Sequence, residues 1–242
     1  MHLLLAILTI AAASDLQPVL PRLVARFERQ TGHMVRLTFG SSGNFLAQIR
    51  NGAPFDVFLS ADIDYPRQLE SAGLSEPGTL RPYATGALVI WTRHGSGIDI
   101  QRGLASLASD RVRRVSIANP AHAPYGRAAV AALRNAGLYE QVRAKFVFGE
   151  NVAQAAQFVQ SGNADVGIVP LSLARSTALD AAGEYVSIPS SLYPPIEQAA
   201  VVLRASKSKD AARDFLNYLT RAEITKAFAD AGFGPPLVRA SR

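Results

Sequence analysis

The fold is decided by the stretch Val35-Arg36-Leu37-Thr38-Phe39-Gly40-Ser41-Ser42-Gly43-Asn44-Phe45. Its first five residues alternate apolar and polar side chains, as in a β-strand, and a helix-like run follows over residues 45–51. The glycine and serine turn between them leaves the first N–H groups of the helix without intrahelical partners. These donors, the helix dipole and the serine hydroxyls favour an anion at the turn. A serine at this position is also a common N-cap, so the turn alone leaves both interpretations open.

The same order of strand, short turn and helix recurs along the 242-residue chain. A first strand is predicted before a helix that opens at Ser14-Asp15, with Pro18 in its first turn, and ends at Gly32. The predicted strands cover residues 8–12, 35–39, 55–59, 87–91, 115–118, 146–148, 166–169 and 199–203. The later predicted helices cover residues 45–51, 65–72, 127–136, 152–160, 210–219 and 222–231. Alternation of this kind favours parallel sheets covered by helices on both faces.

The alternation falls into two sets, with boundaries near residues 82–88 and 190–198. It predicts two doubly wound α/β domains joined by a two-crossover hinge. Domain I is discontinuous, covering residues 1–85 and 195–242, and domain II covers residues 86–194. Ligands of open α/β sheets bind beyond the carboxyl ends of the strands, so a ligand cleft is expected between the two domains.

Composition narrows the class of protein. A hydrophobic content of 48% is ordinary for a globular chain, and the absence of cysteine excludes disulfides, thiolate zinc sites and cysteine nucleophiles. The net charge is +6, but the basic residues are scattered, and the densest group, Arg111-Val112-Arg113-Arg114, has no aromatic residues among it. We therefore predict a solvated basic face and no nucleic-acid binding.

The apolar segment over residues 3–13 has two interpretations. It is too short for a membrane span, and it suits either a signal-peptide core cleaved after Ala13 or a buried first strand. No lysine or arginine precedes it, and cleavage would remove a strand that the fold needs. We therefore favour the strand.

Three further strand-to-helix junctions resemble the first. They are Ala11-Ala12-Ala13-Ser14-Asp15, Asn119-Pro120-Ala121-His122-Ala123-Pro124-Tyr125-Gly126-Arg127 and Gly149-Glu150-Asn151-Val152. Each predicted domain contributes two of the four junctions. A buried dianion needs many hydrogen bonds, which converging helix N-termini supply without a cation. The alternatives are structural: Ser14 as an N-cap, Tyr125 as a packing residue and His122 as a turn residue.

Other kinds of site have little support. Asp56, Asp62 and Glu150 lack the spacing of metal ligands, and the four histidines are scattered, so no metal-cation site is predicted. Phosphate-loop, dinucleotide and Gly-x-Ser-x-Gly motifs are absent. Tyr125 with His122 is the remaining nucleophile–base candidate, and the sequence favours a protein that is not an enzyme.

The junctions and their neighbours together resemble one family. The matching segments are residues 11–16 (Ala-Ala-Ala-Ser-Asp-Leu), 40–43 (Gly-Ser-Ser-Gly), 48–62, 118–129, 149–154 (Gly-Glu-Asn-Val-Ala-Gln) and 162–169. They follow the family's order and cover nearly the whole chain from Leu8 onward. The chain is similar to the periplasmic molybdate-binding proteins that serve ABC importers, in the type II solute-binding superfamily.

The resemblance implies a monomeric carrier that closes on molybdate or tungstate and presents it to permease and ATPase subunits in the membrane. It implies no cofactor, and molybdenum only as the oxyanion. Ser14 and Ser42 would bind through hydroxyl and N–H groups, and Val152 through its N–H. Tyr125 would bind through its N–H, with its hydroxyl as an additional donor. Some members place a tyrosine where this chain has Pro170, so either the Tyr125 hydroxyl replaces it or the ligand receives one bond fewer.

The resemblance also implies export to the periplasm. Family precursors carry a longer cationic leader than residues 1–7, which predicts either a truncated start or a copy that is not exported. Three alternative functions stay open from the sequence. They are a carrier for another tetrahedral oxyanion such as sulfate, a non-exported oxyanion-sensing module, and an enzyme of small phosphorylated or carboxylated substrates.

Overall fold

The secondary structure comes from a computed structural model that describes residues 6–237. Within this range the strands are β1 (Ile7–Ala13), β2 (Met34–Gly40), β3 (Val57–Ser60), β4 (Arg81–Gly86), β5 (Leu88–Arg93), β6 (Val115–Ala118), β7 (Phe146–Gly149), β8 (Val166–Pro170), β9 (Gly183–Ser187) and β10 (Ile196–Val202). The helices of the same range are α1 (Leu20–Thr31), α2 (Ser42–Arg50), α3 (Asp64–Ser71), α4 (Pro124–Asn135), α5 (Tyr139–Val142), α6 (Val152–Gln160), α7 (Leu171–Ala174), α8 (Thr177–Asp180), α9 (Lys209–Leu219) and α10 (Ala222–Asp230). Short 3-10 segments lie at Ser14–Leu16, Ile100–Ala108, Arg143–Lys145 and Ser190–Leu192.

The chain divides into two compact units. Unit 1 contains the described residues up to Thr85, Glu197–Asp230 and the described residues from Gly234 onward, and unit 2 contains Gly86–Ile196 and Ala231–Phe233. Each unit has its own five-stranded sheet and helices, which confirms the predicted α/β fold class. The predicted domain limits are residues 1–85 with 195–242 and residues 86–194. They concern parts of the chain that fold independently, and they stay a prediction.

The sheet of unit 1 has the strand order β2-β1-β3-β10-β4. β1 runs parallel to both β2 and β3, and β10 runs antiparallel to β3. The β1 side chains Leu8, Ile10, Ala11 and Ala12 are fully buried, as expected for a parallel strand with both faces covered. Phe45 of α2 packs beside Phe58 in the core of this unit.

The sheet of unit 2 has the strand order β7-β6-β8-β5-β9. β6 runs parallel to β7 and β8, whereas β5 runs antiparallel to β8 and β9. The sequence favoured parallel sheets, whereas both sheets are mixed, because each contains an antiparallel strand. β5 and β10 begin where the chain arrives from the other unit, not after a helix covering the same sheet, so neither is bound to a parallel crossover.

Several local features between residues 6 and 237 differ from the prediction. Strands β4 and β9 were not predicted, and Pro82 and Gly86 in β4 are residues that disfavour a strand. The first helix begins at Leu20, six residues later than predicted, because Ser14–Leu16 forms a separate 3-10 turn. Pro21 then lies in the first turn of α1, where its missing N–H costs nothing.

The N-terminal segment forms a strand, as favoured from the sequence, since β1 spans Ile7–Ala13. Most of the segment that was compared with a leader, residues 1–7, lies outside the described residues. No helix between residues 6 and 237 combines the length and the apolar character that crossing a membrane requires.

Candidate functional site

Three strands of unit 1 end at one edge of its sheet. β1 and β2 are parallel with Ala13 opposite Gly40, and β3 is parallel to β1 with Leu59 opposite Ala12. The segments leaving this edge therefore begin at Ser14, Ser41 and Ala61, close together in space. The register brings together the two serines that were predicted from separate junctions.

Ser42 is the first residue of α2, and its side chain is 1% exposed. Its Oγ accepts a hydrogen bond from the Ala61 N–H at 3.0 Å. A hydroxyl that accepts this bond still has its own proton to donate. The N-cap residue of α2 is Ser41, which makes no capping bond through its side chain. Ser41 thus holds the N-cap position without a side-chain cap, and the Ser42 hydroxyl is bonded to the Ala61 N–H and not to the helix.

Ser14 begins the 3-10 turn that follows β1 and is 2% exposed. Its Oγ has no hydrogen-bond partner among residues 6–237. A buried hydroxyl without a partner carries a desolvation cost that a ligand would relieve. Ser14 is not an N-cap either, because Ala13 holds that position.

In unit 2, β6 and β7 are parallel with Ala118 opposite Gly149, so α4 and α6 start at the same edge of the sheet. The Asn119 N–H donates to the Gly149 carbonyl at 2.8 Å and joins the two turns. Gly126 lets α4 approach the end of β6 closely, because a Cβ there would overlap the Ala118 carbonyl oxygen. The register thus brings together the turns that carry Tyr125 and Val152.

The first turn of α6 has a side-chain cap. The Asn151 carboxamide oxygen accepts from the N–H groups of Ala153 and Gln154, at 3.0 and 3.1 Å. The N–H of Val152, one residue earlier, lies outside this cap, while its side chain is buried at 6% exposure. The binding role of the Val152 N–H stays a prediction.

The Tyr125 side chain is 2% exposed, and its hydroxyl lies against the backbone of Gly86. A Cβ on Gly86 would overlap the hydroxyl and the ring carbon that bears it, so this position needs a glycine if the tyrosine is to keep its place. Pro170 ends β8 opposite Leu88 and is buried. It lies at the same edge of the sheet as the starts of α4 and α6, and it has neither a hydroxyl nor an N–H to offer.

The donors gathered at both edges are neutral hydroxyl and N–H groups. Helix N-termini and hydroxyls of this kind suit a small anion. His122 and Glu150 flank the two turns of unit 2, with His122 Nε2 3.6 Å from Glu150 Oε2. Between residues 6 and 237, no three histidine, aspartate or glutamate residues are grouped in a way that could hold a metal ion.

The chain matches known proteins over nearly its whole length. Residues 8–234 match the family described as bacterial extracellular solute-binding protein. The chain belongs to this family. Among the relatives of this solute-binding protein, the molybdate-binding protein ModA of Azotobacter vinelandii is 40% identical over 93% of this chain and 88% of that protein. ModA of Rhodobacter capsulatus is 37% identical over 92% of this chain and 86% of that protein.

Solved structures agree with these relatives. The periplasmic molybdate-binding protein of Azotobacter vinelandii superposes with a TM-score of 0.88 at 35% identity, over 95% of this chain and all of that one. The sulfate-binding protein SubI of Mycobacterium tuberculosis has a TM-score of 0.80 at 19% identity, covering 95% of this chain and 87% of that one, and shares the fold alone. The family resemblance seen in the sequence is thus confirmed.

Two features of the site were missed from the sequence. One is the Ala61 N–H, which fixes the Ser42 hydroxyl. The other is a buried chain of side chains that begins at Asp15, directly after Ser14. An acidic residue directly after Ser14 could have indicated such a chain, but the partners of Asp15 lie far along the sequence.

Proposed function

We propose that this solute-binding protein captures molybdate and delivers it to an ABC importer. The observation that carries the proposal is the pair of buried serines in unit 1. Ser14 Oγ has no partner among the described residues, and Ser42 Oγ is held by the Ala61 N–H with its proton left to donate. The names of the relatives at 40% and 37% identity indicate which oxyanion these donors serve.

The proposed hydrogen-bond donors to molybdate are the hydroxyl and N–H groups of Ser14 and Ser42 and the N–H groups of Tyr125 and Val152. All of these donors are neutral, so the dianion is stabilised by charge-assisted hydrogen bonds and helix dipoles and not by a counter-charge. Donors of this kind suit any tetrahedral dianion, including tungstate. We therefore expect discrimination against sulfate to depend on the size of the anion.

The Tyr125 hydroxyl is a weaker candidate than its N–H. It lies against Gly86, which restricts where it can point. The proposal therefore favours the second of the two possibilities raised by Pro170, in which the ligand receives one bond fewer. A Tyr125→Phe variant that retains the affinity of the wild type would support this assignment.

We also propose where the protein works and with which partners. The protein is exported to the periplasm, binds as a monomer, needs no cofactor, does no chemistry on its ligand and docks on permease and ATPase subunits. Hinge closure on the ligand stays a prediction of the sequence. Small-angle X-ray scattering with and without molybdate measures it, and light scattering measures the monomer.

Titration calorimetry with molybdate, tungstate, sulfate and phosphate tests the proposal. We expect tight binding of the first two anions, weak or absent binding of the others, and no product in any titration. Tight binding of sulfate with none of molybdate would assign the protein to another oxyanion. Turnover of a phosphorylated or carboxylated substrate would favour the enzyme alternative.

A further inference from the structure

Asp15 is fully buried in unit 1, next to Ser14 in the chain. Its Oδ2 accepts a hydrogen bond of 2.5 Å from Gln198 Nε2, and Gln198 Oε1 accepts one of 2.8 Å from the Tyr83 hydroxyl. Gln198 is also fully buried, and Tyr83 is 3% exposed. The three side chains form a chain of hydrogen bonds, here called the relay, from the carboxyl edge of β1 through β10 to β4. Gln198 lies 183 residues from Asp15 and 115 residues from Tyr83 in the sequence.

The direction of the relay is fixed by chemistry. An amide donates through nitrogen and accepts through oxygen, so Gln198 can serve Asp15 and Tyr83 simultaneously in one orientation only. Burial, followed by the charge of Asp15, raises the pKa of Tyr83 well above its ordinary value of 10. The tyrosine therefore stays protonated and keeps donating.

The same stretch of β10 also supports the second serine. Glu197, the residue before Gln198, accepts the Ile63 N–H through its carbonyl at 2.8 Å. Ile63 ends the short segment that starts at Ala61, whose N–H binds Ser42 Oγ. Two neighbouring residues of β10 thus brace the segments that carry Ser14 and the partner of Ser42.

The turn that carries Ser14 is short, and the hydrogen bond between Asp15 and Gln198 ties it to β10. The 3-10 segment Ser14–Leu16 is three residues long, has no side-chain cap and is closed by the Gln17 N–H bond to the Ser14 carbonyl at 3.2 Å. The Ser14 hydroxyl has no protein partner of its own in the described chain. Its position is therefore set by the backbone that the buried Asp15 side chain anchors.

We propose that Asp15, Gln198 and Tyr83 are positioning residues that hold the Ser14 turn in its ligand-binding geometry. The inference rests on the proposed function, since it concerns the same oxyanion site. Molybdate affinity should then depend on Gln198 and Tyr83, two side chains that are not among the proposed donors to molybdate.

The test compares Gln198→Leu with a matched control in the same unit. Ser206 Oγ donates to Asp56 Oδ1 at 2.7 Å, and Asp56 directly precedes β3, at the opposite edge of the sheet from Ser14. Ser206→Ala thus removes a bond to a different partly buried carboxylate, far from the site. Molybdate titration and thermal unfolding of the apo protein are measured for both variants and the wild type.

We expect Gln198→Leu to bind molybdate at least about tenfold more weakly, because a misplaced donor loses a charge-assisted bond. Ser206→Ala should lower the melting temperature and leave the dissociation constant unchanged. Equal affinity of Gln198→Leu and the wild type would overturn the relay while leaving the proposed function intact. A wild type that binds none of the four oxyanions would overturn both.

Tyr83→Phe provides a second measurement, and its effect in the wild-type background does not depend on the folding of Gln198→Leu. It removes only the hydroxyl and keeps the ring contact with Phe228, at 5.4 Å between centroids. We expect affinity to fall about threefold in the wild type and not at all in the Gln198→Leu background, because residues of one network are not additive. Full affinity of Tyr83→Phe, or equal losses in both backgrounds, would contradict the relay.

Discussion

Replacement of Ser42 by alanine should affect both ligand binding and the stability of the apo protein. The Ser42 Oγ accepts from the Ala61 N–H at 3.0 Å and has a proton left to donate to the ligand. One hydrogen bond to a charged group contributes roughly 1.5–3 kcal/mol. At about 1.4 kcal/mol per factor of ten, the dissociation constant for molybdate should rise about 10- to 150-fold.

The same substitution leaves the Ala61 N–H without its acceptor, and Ala61 is 2% exposed. A buried N–H without a partner costs about 1–3 kcal/mol. In a protein of this size, each kcal/mol lowers the melting temperature by about 2–4 °C. Calorimetric titration and thermal unfolding of the apo protein together measure both effects.

Ser14→Ala is the informative counterpart. Its Oγ has no partner among residues 6–237, so alanine removes a buried polar group that costs stability in the apo protein, and we expect a similar loss of affinity with no fall in the apo melting temperature. Ser75→Ala is the control, because the Ser75 hydroxyl is also buried without a partner there but is not among the proposed ligands. Unchanged affinity in both Ser14→Ala and Ser42→Ala would refute the assignment of the ligands. A Ser42→Ala variant as stable as the wild type would refute the role given to its bond with Ala61.

Three further predictions concern stability. Asn151→Ala removes the cap of α6 and should cost about 1 kcal/mol in urea denaturation, and no change would contradict the capping role. The hydrogen bond from Lys209 lowers the pKa of the Glu76 carboxyl from its ordinary 4.5. The stabilisation that the ionised Glu76 gives the folded protein is therefore complete above pH 4.5, and it is lost as the pH falls through the lowered pKa. The urea midpoint of Glu76→Gln should therefore fall less than that of the wild type between pH 6 and 3, and parallel curves would exclude this contribution. Gly86→Ala overlaps the Tyr125 hydroxyl and should cost about 1–3 kcal/mol in thermal unfolding, whereas an unaltered melting temperature would exclude that contact.

Local patterns determined much of the fold in advance. Strand β6 and helix α6 have the bounds predicted from residues 115–118 and 152–160, because alternation and helical spacing are set by neighbours within a few residues. Strand β4 was missed, since Pro82 and Gly86 disfavour a strand locally and only pairing in the sheet stabilises it. The late start of α1 has a similar cause, because Asp15 is anchored to a distant strand.

For the candidate site, too, some features come from local sequence and others from the tertiary structure. The sequence by itself determined the α/β class and the strand-to-helix junctions, which depend on local order along the chain, and the donor roles of Ser14, Ser42 and Val152 stay predictions. Only the tertiary structure decided which junctions share an edge of a sheet, that Ala61 holds the Ser42 hydroxyl, and that Gln198 anchors Asp15 from 183 residues away. Such pairings follow from strand order and register, which depend on contacts between segments that no local pattern encodes.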